Sequence, residues 1–176
     1  MMRDHGQSRK YIHEFVGANG RLDAIQAGIL TVKLRHLARW NEERRGGAHE
    51  YDALLRASGS GIAPPHVPSW SRHVYHLYVV RVPERDRVQR ELTAAGVGTG
   101  IHYPVPLHLG PPYPGVPVGP GDFPVAERAA SEILSLPMFP GLSCAQQRRV
   151  IDCLVAAVAT DGRGPQGAEA PAEVAA

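Results

Sequence analysis

A proline-rich segment in the second half of the chain limits the folds open to it. Residues 104–124 hold eight of the 16 prolines and four of the 19 glycines. Proline lacks a backbone N–H and interrupts both helices and central strands, so this segment predicts a long surface loop. Loops of this length are usually functional or disordered. The core must therefore be built from the segments on either side.

These flanking segments predict an α/β fold. Apolar residues at three- and four-residue spacing indicate helices, and short runs rich in β-branched and aromatic residues indicate strands. Three strands covered by helices on one face would make a small α/β sandwich, with a long helix leading into it. In chain order, we predict an arm over residues 1–20, a long helix from Arg21 to about residue 58, a strand His73–Val82, a helix Pro83–Ala95, a strand Val97–Tyr103, a helix Pro124–Ile133, a strand Leu134–Phe139 and a helix Ser143–Thr160.

Capping residues mark several of the predicted helix ends. Asn19 lies where the N-cap of the long helix would sit, and glycines 59 and 61 supply its stop. A kink in this helix is expected near Gly46-Gly47. The other end signals are Gly96 as a left-handed stop, Asp122 as an N-cap, and Ser143 with Gln146 as a capping box.

Composition is that of an ordinary globular protein, which we expect in the cytoplasm. Hydrophobic residues make up 43% and charged residues 20%, and the formal net charge is +2. No apolar run approaches the ~20 residues that span a bilayer, and no signal-like apolar core follows the first residues. Because no basic stripe is present, nucleic acid is not an expected partner, and the lack of a spanning apolar run argues against a membrane. Gly, Pro, Ala and Glu dominate after Thr160, so a disordered tail is expected over 161–176.

The cysteines do not predict a disulfide, and a pair of histidines does not predict a metal site. Cys144 and Cys153 lie nine residues apart on one predicted helix, which turns them to nearly opposite faces, so two buried free thiols are expected. His73 and His76 lie three residues apart on a predicted strand, which directs them to opposite faces and disfavours a metal site.

Several sequence blocks follow one another in a fixed order from about residue 3 to residue 158. They are Asp4-His5-Gly6, Tyr11-x-His13, Gly17-x-Asn19-x-Arg21-Leu22-Asp23-x-Ile25-Gln26-Ala27, His73-Val-Tyr-His-Leu-Tyr-Val79, Gly98-Thr-Gly-Ile-His102-Tyr-Pro104 with Leu107-His108, and Ser135-Leu-Pro-Met-Phe-Pro140. This series resembles the DegT/DnrJ/EryC1/StrS family of pyridoxal-phosphate-dependent sugar aminotransferases.

The resemblance implies the small C-terminal domain of a fold-type I transferase, without the family's large cofactor domain. In the family, that large domain carries the lysine that binds pyridoxal 5′-phosphate covalently. Lys10 and Lys33 are the only lysines here, and neither has the family's serine-then-lysine context. A catalytic amine needs a desolvated pocket, so we interpret both as solvated surface amines. The resemblance thus assigns no catalytic residue to this chain, and the cofactor is expected only together with the large domain.

Asn19 is the one residue that the resemblance ties to the cofactor. In the family, the asparagine of this block reaches into the other subunit's active site and binds the cofactor phosphate, to which a side-chain amide can donate. The helix N-cap is the alternative role, and both can hold at once. Arg21 either supports the same arm or makes a structural ion pair.

His102, Tyr103 and His108 are the candidate substrate-binding residues. They lie where a predicted strand runs into the proline-rich loop, and imidazole or phenol groups can bond sugar hydroxyls or a pyrophosphate. The resemblance places them on the nucleotide-sugar or amino-acid side of the cleft. Anchoring of the loop, with Tyr103 packed and His108 solvated, is the alternative.

Two functions therefore remain open. The first is part of an enzyme of amino-sugar biosynthesis that transfers an amino group from an amino-acid donor to a nucleotide-linked keto-sugar, with a large domain supplied in trans. The second is a truncated, non-catalytic module that forms a homodimer or binds a large-domain partner.

Overall fold

The computed structural model describes residues 1–20, 22–110 and 117–160. Arg21, part of the proline-rich loop and the tail predicted over 161–176 lie outside these ranges. The chain divides into two compact units, Met1–Trp40 and Asn41–Ala176. In the part that the structure describes, no helix is both long and apolar enough to cross a membrane.

The predicted arm is a small hairpin. Strands β1 (Gln7–Arg9) and β2 (Ile12–His13) pair antiparallel, and Asp4 forms an isolated bridge with Asn19. Glycine is required at Gly6, because its φ is +70° and a Cβ there would lie 1.8 Å from the Phe15 carbonyl oxygen. This close approach of two backbone segments folds the arm back on itself.

The long helix is broken, but not at the predicted glycines. Helix α1 (Ala24–Leu34) ends just before helix α2 (Leu37–Ser58) begins. At the break, the His36 N–H bonds the Lys33 carbonyl, a tight i to i−3 bond that marks the end of α1. Gly47 stays helical, and its carbonyl accepts a 2.6 Å hydrogen bond from the buried Gln147 side chain.

The sheet of the second unit is smaller than the predicted three-stranded one. Strand β3 (Tyr78–Arg81) pairs antiparallel with strand β4 (Ile133–Leu136), from Tyr78 opposite Leu136 to Arg81 opposite Ile133. The predicted strand Val97–Tyr103 is reduced to one bridge, Gly100 to Ser135. Glycines 98 and 100 weaken that segment as a strand, since glycine has no side chain to pack and loses more backbone entropy on ordering.

The predicted first strand of this sheet also starts late. Over residues 73–77 the backbone leaves the extended conformation: Tyr75 has φ +49°, and its N–H bonds the His73 ring at 2.8 Å. The histidine pair therefore precedes the strand instead of lying on it. On the partner strand, Pro137 directly follows β4 and has no N–H to donate to the ladder, so β4 ends at Leu136.

The remaining helices follow the predicted pattern closely. Helix α3 (Arg85–Ala94) is followed by Gly96 with φ +76°, and helix α5 (Cys144–Ala159) begins with the predicted capping box. Helix α4 (Pro124–Glu132) has Pro124 in its first turn, as predicted, but its N-cap is Phe123. The carboxylate of Asp122 instead accepts the Gly119 N–H at 2.7 Å.

The core of the second unit lies between β3, β4 and helices α2, α3 and α5. Tyr51 and Tyr78 are fully buried with ring centroids 4.9 Å apart, and burial raises the pKa of both phenols. The two cysteines are free thiols, but neither is buried: Cys144, in the first turn of α5, is exposed, and Cys153 is half-buried. The largest fully buried aliphatic side chains are Leu55, Val80, Val82, Val88, Leu92, Leu134 and Leu154.

Candidate functional site

His102 is held by a serine from the sheet. Its Nδ1 lies 2.9 Å from the Oγ of Ser135, a residue that is 4% exposed on strand β4. The imidazole also covers Gly100: a Cβ on that glycine would lie 2.6 Å from the His102 Cε1. His102 as a whole is exposed, so the ring is anchored on one side and open to solvent on another.

Tyr103 and His108 line one cavity of about 480 Å³ in the second unit. Tyr103 is 74% exposed, so the packed position that the anchoring alternative gave it is wrong. The cavity lies between the start of the proline-rich loop and helix α4, and its other lining residues are Val105, Pro106, Leu107, Phe123, Ala126, Ala129, Ala130 and Ile133. With mostly apolar walls, it suits the apolar part of a ligand better than a phosphate.

His108 is not solvated. Its side chain is 8% exposed, its Nε2 lies 2.9 Å from a Glu127 carboxylate oxygen, and its ring contacts that of Phe123 at a centroid distance of 4.8 Å. The same carboxylate oxygen accepts the Gly121 N–H at 2.8 Å. The hydrogen bond from His108, followed by that from Gly121, lowers the pKa of the Glu127 carboxyl. These contacts fasten both ends of the described loop to the start of α4.

Asn19 lies in the first unit. It is exposed, and its backbone forms the bridge to Asp4. The N-cap of α1 is Asp23, whose carboxylate accepts the N–H groups of Ile25 at 2.9 Å and Gln26 at 3.1 Å. The helix-cap alternative for Asn19 is therefore wrong, and its role toward a cofactor phosphate remains a prediction.

Sequence reasoning found the histidines of this site but missed their partners. Ser135 was named only as the first residue of a sequence block, and Glu127 was not singled out. A polar residue inside a buried strand is the signal that could have found Ser135, since buried polar groups need hydrogen-bond partners. Across the described ranges, no group of three or more His, Cys, Asp and Glu residues is arranged to hold a metal ion.

Residues 1–155 match the sequence model of the DegT/DnrJ/EryC1/StrS aminotransferase family. The chain belongs to this family. The resemblance carried by the sequence blocks is thereby confirmed.

Three family members illustrate the extent of the similarity. The erythromycin biosynthesis sensory transduction protein EryC1 of Saccharopolyspora erythraea is 47% identical over 89% of this chain and 42% of its own length. The dTDP-3-amino-3,4,6-trideoxy-alpha-D-glucose transaminase of Streptomyces venezuelae is 43% identical over 88% of this chain and 40% of its own length. The crystal structure of S. venezuelae DesV in complex with a ketimine intermediate superposes with a TM-score of 0.82 at 42% identity, covering 89% of this chain and 42% of DesV. The chain thus spans about two fifths of the length of the relatives it matches.

The described residues do not form a complete site for the family's pyridoxal 5′-phosphate. Lys10 and Lys33 are both exposed, and the Lys10 ammonium lies 5.1 Å from the centroid of the Tyr11 ring. An exposed amine stays fully hydrated, whereas covalent attachment of this cofactor needs an amine desolvated enough to lose its proton. Within the ranges that the structure describes, Asn19 is the single residue proposed to contact the cofactor.

Proposed function

We propose that this chain supplies the C-terminal part of a pyridoxal-phosphate-dependent aminotransferase that acts on nucleotide-linked keto-sugars in amino-sugar biosynthesis. In the complete enzyme it works together with a large domain that carries the cofactor lysine. The observation that carries the proposal is the agreement of sequence and fold with DesV over the same 89% of this chain, at 42% identity and a TM-score of 0.82. Names of further relatives point to the same substrate class, among them a UDP-2-acetamido-2-deoxy-3-oxo-D-glucuronate aminotransferase of Pseudomonas aeruginosa.

The residues of this chain have distinct roles in the completed enzyme. The cofactor, when bound, carries the amino group between the amino-acid donor and the sugar. Asn19 donates its side-chain amide to the cofactor phosphate. His102 and Tyr103 contact the polar part of the nucleotide sugar, and the apolar cavity beside Tyr103 receives a less polar part. His108 lines that cavity and is fixed by Glu127 at 2.9 Å, so it shapes the pocket.

A replacement enzyme tests this proposal. In the S. venezuelae dTDP-amino-sugar transaminase, the segment that aligns with this chain is exchanged for the whole 176-residue chain. Amino transfer from the named dTDP-amino sugar to 2-oxoglutarate is then measured, with the parent enzyme as the positive control. The same transaminase lacking the segment is the negative control.

We expect the replacement enzyme to catalyse transfer and the His102→Ala variant to show a raised KM for the sugar. A replacement enzyme that is dimeric and retains the cofactor but transfers no amino group to any of several dTDP- and UDP-linked sugars would contradict the proposal. A replacement enzyme that does not fold is distinguished by its circular dichroism spectrum and its melting temperature.

The second candidate function is a non-catalytic dimerisation or binding module. It is favoured by helix α1, in which no residue is buried although most are apolar. Ile25, Ile29 and Leu34 are 56–75% exposed, and exposed apolar faces of this kind mark interaction surfaces. Light scattering of the whole chain, together with the activity of the replacement enzyme, separates the two functions. A chain that forms dimers, combined with a replacement enzyme that has no activity, would favour the binding module.

A further inference from the structure

We propose that Ser135 is a positioning residue for His102. Its hydroxyl donates to Nδ1 of His102, so that the neutral imidazole carries its proton on Nε2 and offers an N–H donor to a hydroxyl or phosphate oxygen of the sugar nucleotide. This inference rests on the proposed function, because it takes His102 as a substrate-binding residue.

The position of Ser135 is fixed by the backbone on both sides. In β4 it lies opposite Val79 of β3, and on its other side it exchanges two backbone hydrogen bonds with Gly100, at 2.8 and 3.1 Å. With its strand paired on both edges, the Ser135 side chain has little freedom to follow a moving ring. The bond to His102 therefore sets the position of the imidazole, and not the reverse.

The direction of the hydrogen bond follows from the burial of the hydroxyl. Ser135 is 4% exposed, and among the described residues His102 Nδ1 is the partner recorded for its Oγ, at 2.9 Å. A buried hydroxyl proton without an acceptor carries a desolvation penalty, so the arrangement in which Oγ donates to Nδ1 is favoured. A ring nitrogen that accepts must be unprotonated, which leaves the proton of the neutral ring on Nε2.

Glycine at position 100 completes the arrangement. The ring lies so close to the Gly100 backbone that a Cβ would come within 2.6 Å of Cε1 and 3.5 Å of Nε2. The imidazole is thus held by a hydrogen bond at one nitrogen and occupies the space that a side chain at position 100 would need. An Nε2–H presented in this way is suited to an oxygen acceptor, which both sugar hydroxyls and phosphates provide.

The first arm of the test needs no substrate. The whole chain is labelled with ¹⁵N-histidine. The His102 signals are identified among those of the nine histidines because they are missing in His102→Gln. We expect His102 to show an unprotonated Nδ1 and a protonated Nε2, and we expect Ser135→Ala to shift it toward the tautomer mixture of an exposed histidine such as His66. Two results would overturn the inference whatever the function: a neutral His102 ring with its proton on Nδ1 in the unsubstituted chain, or a His102 signal in Ser135→Ala identical to that of the unsubstituted chain.

The second arm uses the replacement enzyme and a double-mutant cycle. Ser135→Ala should raise the KM for the dTDP-amino sugar by roughly 2- to 10-fold with kcat nearly unchanged, the loss expected for one hydrogen bond in uniform binding. Because Ser135 acts through His102, it should have no further effect in a His102→Ala background. Ser135→Thr keeps the hydroxyl and should restore the KM, and Ser131→Ala on the exposed face of α4 is the matched control.

The two arms separate the inference from the proposed function. Equal effects of Ser135→Ala in both backgrounds would mean a general structural role and would overturn the inference. If His102→Ala leaves the sugar KM unchanged while the tautomer shifts as expected, the hydrogen bond stands, but the substrate-binding role of His102, and with it the positioning role of Ser135, is refuted.

Discussion

Replacing Gly100 by alanine gives a direct measure of how tightly His102 is held. The new Cβ would lie 2.6 Å from the His102 Cε1, and the ring has to retreat by about 0.8 Å to reach an ordinary contact of 3.4 Å. A retreat of that size breaks a hydrogen bond whose partners lie 2.9 Å apart. His102 is exposed and can swing outward, so the main loss is the acceptor of the buried Ser135 hydroxyl.

The size of the effect follows from that orphaned hydroxyl. A buried polar group left without a partner costs about 1–3 kcal/mol. Gly98→Ala is the matched control, because nothing lies within 4 Å of its Cβ position and its φ is not in the left-handed region. Replacing a glycine with compatible backbone angles stabilises a protein by about 0.4–1 kcal/mol through the unfolded chain, and this gain is common to both variants. We therefore expect Gly100→Ala to be less stable than Gly98→Ala by about 1–3 kcal/mol.

Urea titration of the whole chain, followed by circular dichroism, measures this difference. The penalty should largely vanish when Gly100→Ala is introduced into a Ser135→Ala background, because no hydroxyl is then left to orphan. Equal stability of Gly100→Ala and Gly98→Ala would refute the reasoning. So would a full penalty in the Ser135→Ala background, since the cost would then come from backbone strain.

Three further predictions concern the cofactor, the core and the lysines. In the replacement enzyme, Asn19→Ala should speed cofactor loss, since a hydrogen bond to a charged group contributes about 1.5–3 kcal/mol; unchanged retention in gel filtration would contradict its role. Tyr51 and Tyr78 have pKa values raised by burial, so stability is retained below pH 10 and declines above it as the unfolded chain ionises, with a slope for each tyrosine that approaches about 1.4 kcal/mol per pH unit. Tyr78→Phe should remove one of these two contributions in unfolding experiments between pH 10 and 11, and an unchanged slope would refute the assignment. The chain alone, treated with pyridoxal 5′-phosphate and borohydride, should show no stoichiometric labelling confined to Lys10 or Lys33, and peptide mapping that found such labelling would contradict the solvated-amine interpretation.

Local signals predicted those parts of the fold where a residue's own chemistry decides the structure. Ser143 with Gln146 begins helix α5, and Gly96 ends the segment after α3, because capping and positive φ depend on nearby residues alone. The break between α1 and α2 at residues 35–36 carries no glycine or proline. Without such a signal, periodicity predicted one continuous helix.

In the candidate site, too, local sequence predicted some features, whereas those that depend on distant segments were missed. His102, Tyr103 and His108 were found as polar groups at the start of a proline-rich loop. Their surroundings depend on contacts between distant segments: Ser135 is 33 residues from His102, and Glu127 is 19 residues from His108. Such pairs arise only when β4 and α4 have been placed, and a single sequence gives no measure of that placement. The cap of α1 differs from these pairs, because it is a local feature: the predicted helix begins at Arg21, which makes Asn19 a possible cap, whereas α1 begins at Ala24 and Asp23 is its N-cap.

Complementation in trans tests the central claim most directly. The whole chain is titrated into the S. venezuelae transaminase that lacks the aligned segment, with that enzyme's own segment as the positive control. Amino transfer from the dTDP-amino sugar to 2-oxoglutarate is measured at each concentration with pyridoxal 5′-phosphate present. The account predicts activity that is absent from either part alone, rises with added chain and saturates near equimolar amounts. Activity restored by the enzyme's own segment but not by this chain, at concentrations where light scattering shows the two parts bound, would contradict it.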